Sequence, residues 1–171
     1  MHLRWRTVVV TRAGGVVGRE VALRFARAGA GVVVVDGDAV ALRETAGLVR
    51  ARRVGTWTVQ ADVADGDDLA LLAARLRDLG GADVVVHPDD AWPAAPVLRV
   101  LVDALGDRPG ESGAVVLVGP GDVALPSYDG AERPAGRVMG VATGATATPE
   151  RVAAAVLDLV VRGADGDLVR P

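Results

Sequence analysis

Residues Val8–Phe25 read VVVTRAGGVVGREVALRF. Three valines and a threonine make a β-branched apolar run. A glycine-bearing turn follows, and then apolar residues recur at helical spacing. The stretch therefore predicts a strand, a tight turn and an amphipathic helix, the start of a βαβ unit. One residue is out of keeping. Arg12 stands early in the turn, where a glycine would take a positive φ without steric cost. Either the turn is reshaped around Arg12, or Arg12 adapts to it.

The same alternation continues to the other end. Strand-length apolar runs are expected at Thr7–Thr11, Gly31–Asp36, Thr56–Ala61, Asp83–His87, Ala114–Gly119, Arg137–Thr143 and Asp167–Arg170. Helical patterns lie at Gly15–Ala28, Ala39–Arg52, Asp67–Leu79, Pro96–Leu105 and Pro149–Val161. Leu69, Leu72, Ala73, Leu76 and Leu79 share one helix face. Asp38 and Thr148 precede helices as N-caps, the latter with Pro149 at the first helical position. Strands apolar throughout belong to a parallel sheet covered on both faces. The expectation is a single Rossmann-like α/β domain over residues 1–171, with a doubly wound, mainly parallel sheet of six to seven strands flanked by helices. The least regular stretch is 119–136, GPGDVALPSYDGAERPAG.

Composition narrows the function. The 171 residues suffice for one domain with a sizeable core, built from Val, Leu and Ala because only 3% are aromatic. A net charge of −3 and dispersed basic residues exclude a nucleic-acid partner. With no cysteine and two histidines, His2 and His87, there is no thiolate or histidine-built metal centre. No apolar run approaches the ~20 residues of a membrane span, and MHLRWR has no signal-peptide core. The expected location is cytoplasmic. The chain also has no Lys, Asn or Ile, which reads as codon bias in a GC-rich genome. No mechanism here can use a lysine or an asparagine. Trp5, Trp57 and Trp92 are read first as core packing, and otherwise as an interface. Trp5 and Trp57 flank expected edge positions.

In an open parallel sheet, ligands bind beyond the carboxyl ends of the strands, at the switch point between its halves. Gly15 and Gly18 have the spacing of the last two glycines of a dinucleotide loop. One lets backbone N–H groups approach a pyrophosphate, and the other lets helix and strand pack closely. Asp36 ends the second strand, where a carboxylate accepts both ribose hydroxyls and repels a 2′-phosphate, favouring NAD over NADP. The alternative is that "DGD" at Asp36–Asp38 is only a turn and a helix cap.

Together with ADVAD at Ala61–Asp65 and ADVVVHPDDAW at Ala82–Trp92, this loop resembles the short-chain dehydrogenase/reductase superfamily. By that resemblance Asp62 and Val63 border the adenine. DVVVH at Asp83–His87 is similar to the extended branch, and RVMGVATGATATPE at Arg137–Glu150 to the short branch. The resemblance also implies a catalytic tyrosine, a lysine four residues later, and a serine after the fifth strand. Here Tyr128 is the only tyrosine, and Glu132 stands where the lysine belongs. A carboxylate there would raise a tyrosine pKa rather than lower it. Arg133 stays protonated and shapes its hydrogen bonds differently. Gly119 and Pro120 occupy the serine position, and Ser127 is the nearest hydroxyl. Between Tyr128 and Arg137 there is no room for the family's long helix, so the usual dimer contact is altered too.

Two readings follow. In the first, the chain keeps a nucleotide fold without standard catalysis, and serves as a non-catalytic subunit, scaffold or NAD-responsive accessory protein beside a homologous active subunit or as a homo-oligomer. Arg12, Gly15, Gly18, Asp36, Asp62 and Val63 would then hold the nucleotide. In the second, it is an enzyme: an NAD-dependent oxidoreductase, or one of non-standard chemistry using His87, Asp89 and Tyr128, with His87 as a general base oriented by Asp89 or Asp90. Asp89 and Asp90 disfavour an anionic cofactor. They could instead pair with Arg12 and close the pocket.

Overall fold

A computed structural model of the chain describes residues 2–89, 95–105, 113–121, 137–144, 146–163 and 167–171. In chain order the elements are β1 (Thr7–Val10), α1 (Val16–Arg27), β2 (Gly31–Asp36), α2 (Ala39–Arg50), β3 (Thr56–Gln60), α3 (Gly66–Asp78), β4 (Val84–Pro88), α4 (Ala95–Asp103), β5 (Ala114–Pro120), β6 (Arg137–Thr143), α5 (Pro149–Arg162) and β7 (Leu168–Val169). The seven strands form one sheet in the order β3-β2-β1-β4-β5-β6-β7, and every neighbouring pair is parallel. This is the Rossmann-like arrangement expected from the alternating pattern.

The valine runs explain the layering. Successive strand residues face opposite sides of a sheet. Val8, Val10, Val32 and Val34 pack with α1, α2 and α5. Val9, Val33, Val35 and Val85 pack with α3 and α4. Both faces are therefore dry. After β3 the chain crosses through α3 and returns as β4 beside β1. The strand order reverses there, opening a crevice between the ends of β1 and β4.

The helix starts follow from their caps. The Asp38 carboxylate accepts from the Val40 and Ala41 amides, and the Thr148 hydroxyl from Arg151 N. Asp65, not anticipated as a cap, accepts from Asp67 and Asp68 and starts α3 one residue early, at Gly66. That helix ends at Asp78, so Leu79 is a C-cap residue and 38% exposed rather than part of the buried face.

The tryptophans depart from the core reading. Trp57 lies on edge strand β3 and is 41% exposed. Trp5 is 81% exposed and precedes β1, a central strand, so it does not flank an edge. Trp92 lies outside the described residues. At the lower end of the sheet, buried Asp83 accepts from Arg6 at 3.0 Å and from the Thr7 amide at 2.7 Å, fixing the entry to β1.

Candidate functional site

The first loop is held from three sides. Ala13 donates its amide to Val35 O at 3.0 Å. The buried Thr45 hydroxyl of α2 donates to Ala13 O at 2.9 Å. Gly14 donates its amide to Asp36 Oδ2 at 2.8 Å. Arg12 adapts to the turn, with φ of 48° in the left-handed region. For a residue with a side chain this costs roughly 1–2 kcal/mol. The Gly15 amide donates back to Arg12 O at 3.1 Å, closing the turn.

The glycines differ in what they permit. A Cβ on Gly18 would lie 2.3 Å from Arg12 O and 2.9 Å from Ala13 Cα, so helix and loop backbones meet there. Gly15 is the N-cap of α1. Gly14, which sequence reasoning passed over, is equally constrained: its Cβ would lie 2.5 Å from the Ala41 methyl. The doublet in AGG was the available signal, but its partner sits on another helix.

Asp36 ends β2 and takes part in the turn, the role set against ribose binding in the sequence. Its Oδ2 takes the Gly14 amide and its Oδ1 the Asp38 amide at 2.9 Å, while Asp38 itself caps α2. A cleft of about 660 Å³ opens beside it. Arg12, Gly14 and Gly15 form one side, residues 36–38 and Ala41 the back, and residues 61–64 the other side. Asp62 and Val63 are therefore brought to the same cleft as Asp36. Gly18 lies below the loop and shapes it from beneath.

Across the β1–β4 crevice, the Arg12 guanidinium donates to Asp89 Oδ1. Asp89 also donates its amide to Val118 O at 2.9 Å, which anchors it to β5. His87 lies beneath and is 1% exposed. Its Nδ1 is 2.7 Å from the Thr11 hydroxyl. That hydroxyl is only loosely placed on Val86 O, at 3.4 Å. We therefore assign Nδ1 as acceptor and Nε2 as the protonated nitrogen. Nε2 points to Asp89 Oδ2 at 3.6 Å, too long for a hydrogen bond, and has no partner among the described residues. Burial pushes the His87 pKa below its ordinary value. Asp89 acts against this and Arg12 with it. The ring is thus held neutral near pH 7, with its one lone pair on Thr11. It offers no accessible lone pair to a substrate, and its partner is a side-chain hydroxyl.

Tyr128, Asp90, Ser127, Glu132 and Arg133 lie outside the described residues. Gly119 and Pro120 end β5, with Gly119 O accepting from the Thr143 hydroxyl at 3.0 Å. Among the described residues no group of His, Asp or Glu could hold a metal, and no helix is long and apolar enough to cross a membrane.

Comparison with known proteins points the same way as the fold. The short chain dehydrogenase family model matches residues 6–88. The chain is 44% identical over 88 residues to 1-deoxy-11-beta-hydroxypentalenate dehydrogenase of Streptomyces exfoliatus, a match covering 51% of this chain and 32% of that protein. It is 38% identical over 81 residues to the probable oxidoreductase EphD of Mycobacterium tuberculosis, covering 47% of this chain and 14% of that protein. The match thus spans a third or less of these relatives' own length. Among solved structures, a short-chain type dehydrogenase/reductase from Mycobacterium marinum has a TM-score of 0.79 at 16% identity, covering 98% of this chain and 94% of that one. A hydroxysteroid dehydrogenase from Escherichia coli has a TM-score of 0.76 at 19% identity, covering 99% and 95%.

Proposed function

The chain belongs to the short-chain dehydrogenase/reductase superfamily, by the match over residues 6–88, and from that premise we propose that it is a nucleotide-responsive, non-catalytic member. The observation that carries this reading is the absence of any lysine from the chain. The superfamily's proton transfer needs a tyrosine whose pKa is lowered by a neighbouring cation, since an unassisted tyrosine titrates near 10. Four residues after Tyr128, where the family's lysine belongs, the sequence has Glu132, a residue of the opposite charge.

The nucleotide side of the site fits better. Gly15 and Gly18 shape the loop, Asp36 offers a carboxylate to ribose hydroxyls, and Asp62 and Val63 wall the cleft. Asp36 would repel a 2′-phosphate, which supports NAD over NADP. The other half of a dinucleotide fits poorly, because Arg12 and Asp89 are joined across its path. When bound, the cofactor would supply a hydride donor or acceptor; this chain's residues orient its adenosine end. In the cytoplasm, such a domain would act beside a homologous active subunit or as a homo-oligomer.

The names of the relatives favour a second reading, an NAD-dependent oxidoreductase. In it, Tyr128 and Asp89 stand in for the missing groups, with His87 beneath. One assay separates the two. The purified protein is incubated with NAD+ or NADH and a panel of secondary alcohols and ketones, and nicotinamide absorbance is followed. The non-catalytic reading expects no turnover. Turnover abolished by Tyr128→Phe would establish the second.

A further inference from the structure

We propose that the cleft is a site for a single neutral ribonucleoside rather than for a dinucleotide; this rests on the non-catalytic reading and replaces its NAD with a smaller, uncharged ligand. The first argument is position. The lining comes only from the first loop, α2 and the ends of β2 and β3. A dinucleotide occupying both halves of the sheet must pass over the crevice between β1 and β4. That crevice is bridged. Arg12 lies just beyond β1, Asp89 just beyond β4, and their side chains are paired.

The backbone is fixed on both sides of this pair, whose Arg12 side chain is 50% exposed. Asp89 is fixed through its amide to Val118 O, at 2.9 Å, and Arg12 through its carbonyl to the Gly15 amide, at 3.1 Å. His87 fills the space beneath, with Nε2 3.6 Å from Asp89 Oδ2.

The second argument is charge. Among the described residues Arg12 is the only cation lining the cleft, and Asp89 neutralises it. Asp36, Asp38 and Asp62 remain. A cleft walled by three carboxylates repels phosphates. The same carboxylates accept hydrogen bonds from hydroxyls. Asp36 is held in place by one amide on each oxygen, at 2.8 and 2.9 Å, which leaves each a second lone pair for a vicinal diol. Ala61 and Val63, 2% and 7% exposed, line the cleft as a narrow apolar floor beneath a base. Together these describe an uncharged sugar diol joined to an aromatic base.

The test is calorimetric titration of the whole protein with adenosine, 2′-deoxyadenosine, AMP and NAD+, repeated on Asp89→Asn and Asp89→Ala. In the wild type, adenosine should bind more tightly than AMP, and AMP more tightly than NAD+. Removing the 2′-hydroxyl should weaken binding about tenfold, as expected when a charged acceptor loses its donor. Both Asp89 variants free the Arg12 guanidinium for a diphosphate. They should tighten NAD+ about tenfold and leave adenosine unchanged within about twofold. The inference is overturned if wild-type protein binds NAD+ more tightly than adenosine, if adenosine does not bind folded protein, or if neither Asp89 variant gains NAD+ affinity. Hydride transfer by the wild type would instead refute the non-catalytic reading, whatever the order of affinities.

Discussion

Adding one methyl group to Gly18 should have the opposite effect from adding one to Gly47. Both glycines are within helices, α1 and α2, where alanine is preferred over glycine by about 1 kcal/mol. A Cβ on Gly47 would meet nothing within 4 Å, so Gly47→Ala should gain most of that preference. At Gly18 the new Cβ would lie 2.3 Å from Arg12 O and 2.9 Å from Ala13 Cα. These are backbone atoms, which cannot rotate away, so α1 must move off the loop. Such overpacking costs roughly 1–3 kcal/mol, and the absence of a flexible neighbour puts Gly18 at the upper end. After subtracting the helix preference, Gly18→Ala should lose about 2 kcal/mol. For a chain of this size that is a fall of roughly 4–8 °C in Tm, against a rise of roughly 2–4 °C for Gly47→Ala. Urea and thermal unfolding followed by circular dichroism would measure both. If Gly18→Ala matches Gly47→Ala, the close helix–loop approach is refuted, and with it the loop geometry on which the cleft depends.

Three further outcomes are expected. Asp83→Ala strips the buried partner of Arg6 and the Thr7 amide, and should cost about 3 kcal/mol or more in urea unfolding; a loss under about 1 kcal/mol would show that the pair is dispensable. Asp38→Ala removes the α2 cap and should cost about 1 kcal/mol, with no loss if α2 is held by packing alone. Because burial lowers the His87 pKa beneath 6.5, the unfolded chain takes up its proton first as pH falls. His87 therefore contributes stability that is full above pH 6.5 and is lost as pH drops through the folded-state value. Asp89 and Arg12 are the charged groups that face it. His87→Gln should flatten that slope relative to wild type, and ring-proton NMR should show His87 titrating below its ordinary value; identical slopes would contradict the burial argument.

The order of elements was legible because both signals are local. Parallel strands covered on two faces are apolar throughout, and each helix carries its own periodicity. Boundaries slipped where a cap was missed, as at Asp65. Asp36, Asp62 and Val63 could be placed at the cleft from their positions at or after strand ends, and Gly15 from the turn; Gly18, within α1, shapes the loop without lining the cleft. The Arg12–Asp89 pair followed from opposite charges at two such ends. What local pattern could not supply were contacts between distant elements. Gly14 is constrained by Ala41 of α2, and His87 is buried through Thr11 of the first loop. Trp5 likewise sits in the turn before β1, with φ of 71°, outside the sheet.

The sheet divides the interior into two separate cores, one with α1, α2 and α5 and the other with α3 and α4. Ala13 of the first loop belongs to the former, while Ala61 and Val63 belong to the latter. The cleft opens between Gly14, the chain neighbour of Ala13, and Ala61 and Val63. A molecule filling it would act as a rivet between them, tying two packing units that otherwise communicate only through the strands. Occupancy would then be felt as cooperativity: both layers would open to hydrogen exchange as one unit, even though the ligand touches only their rims.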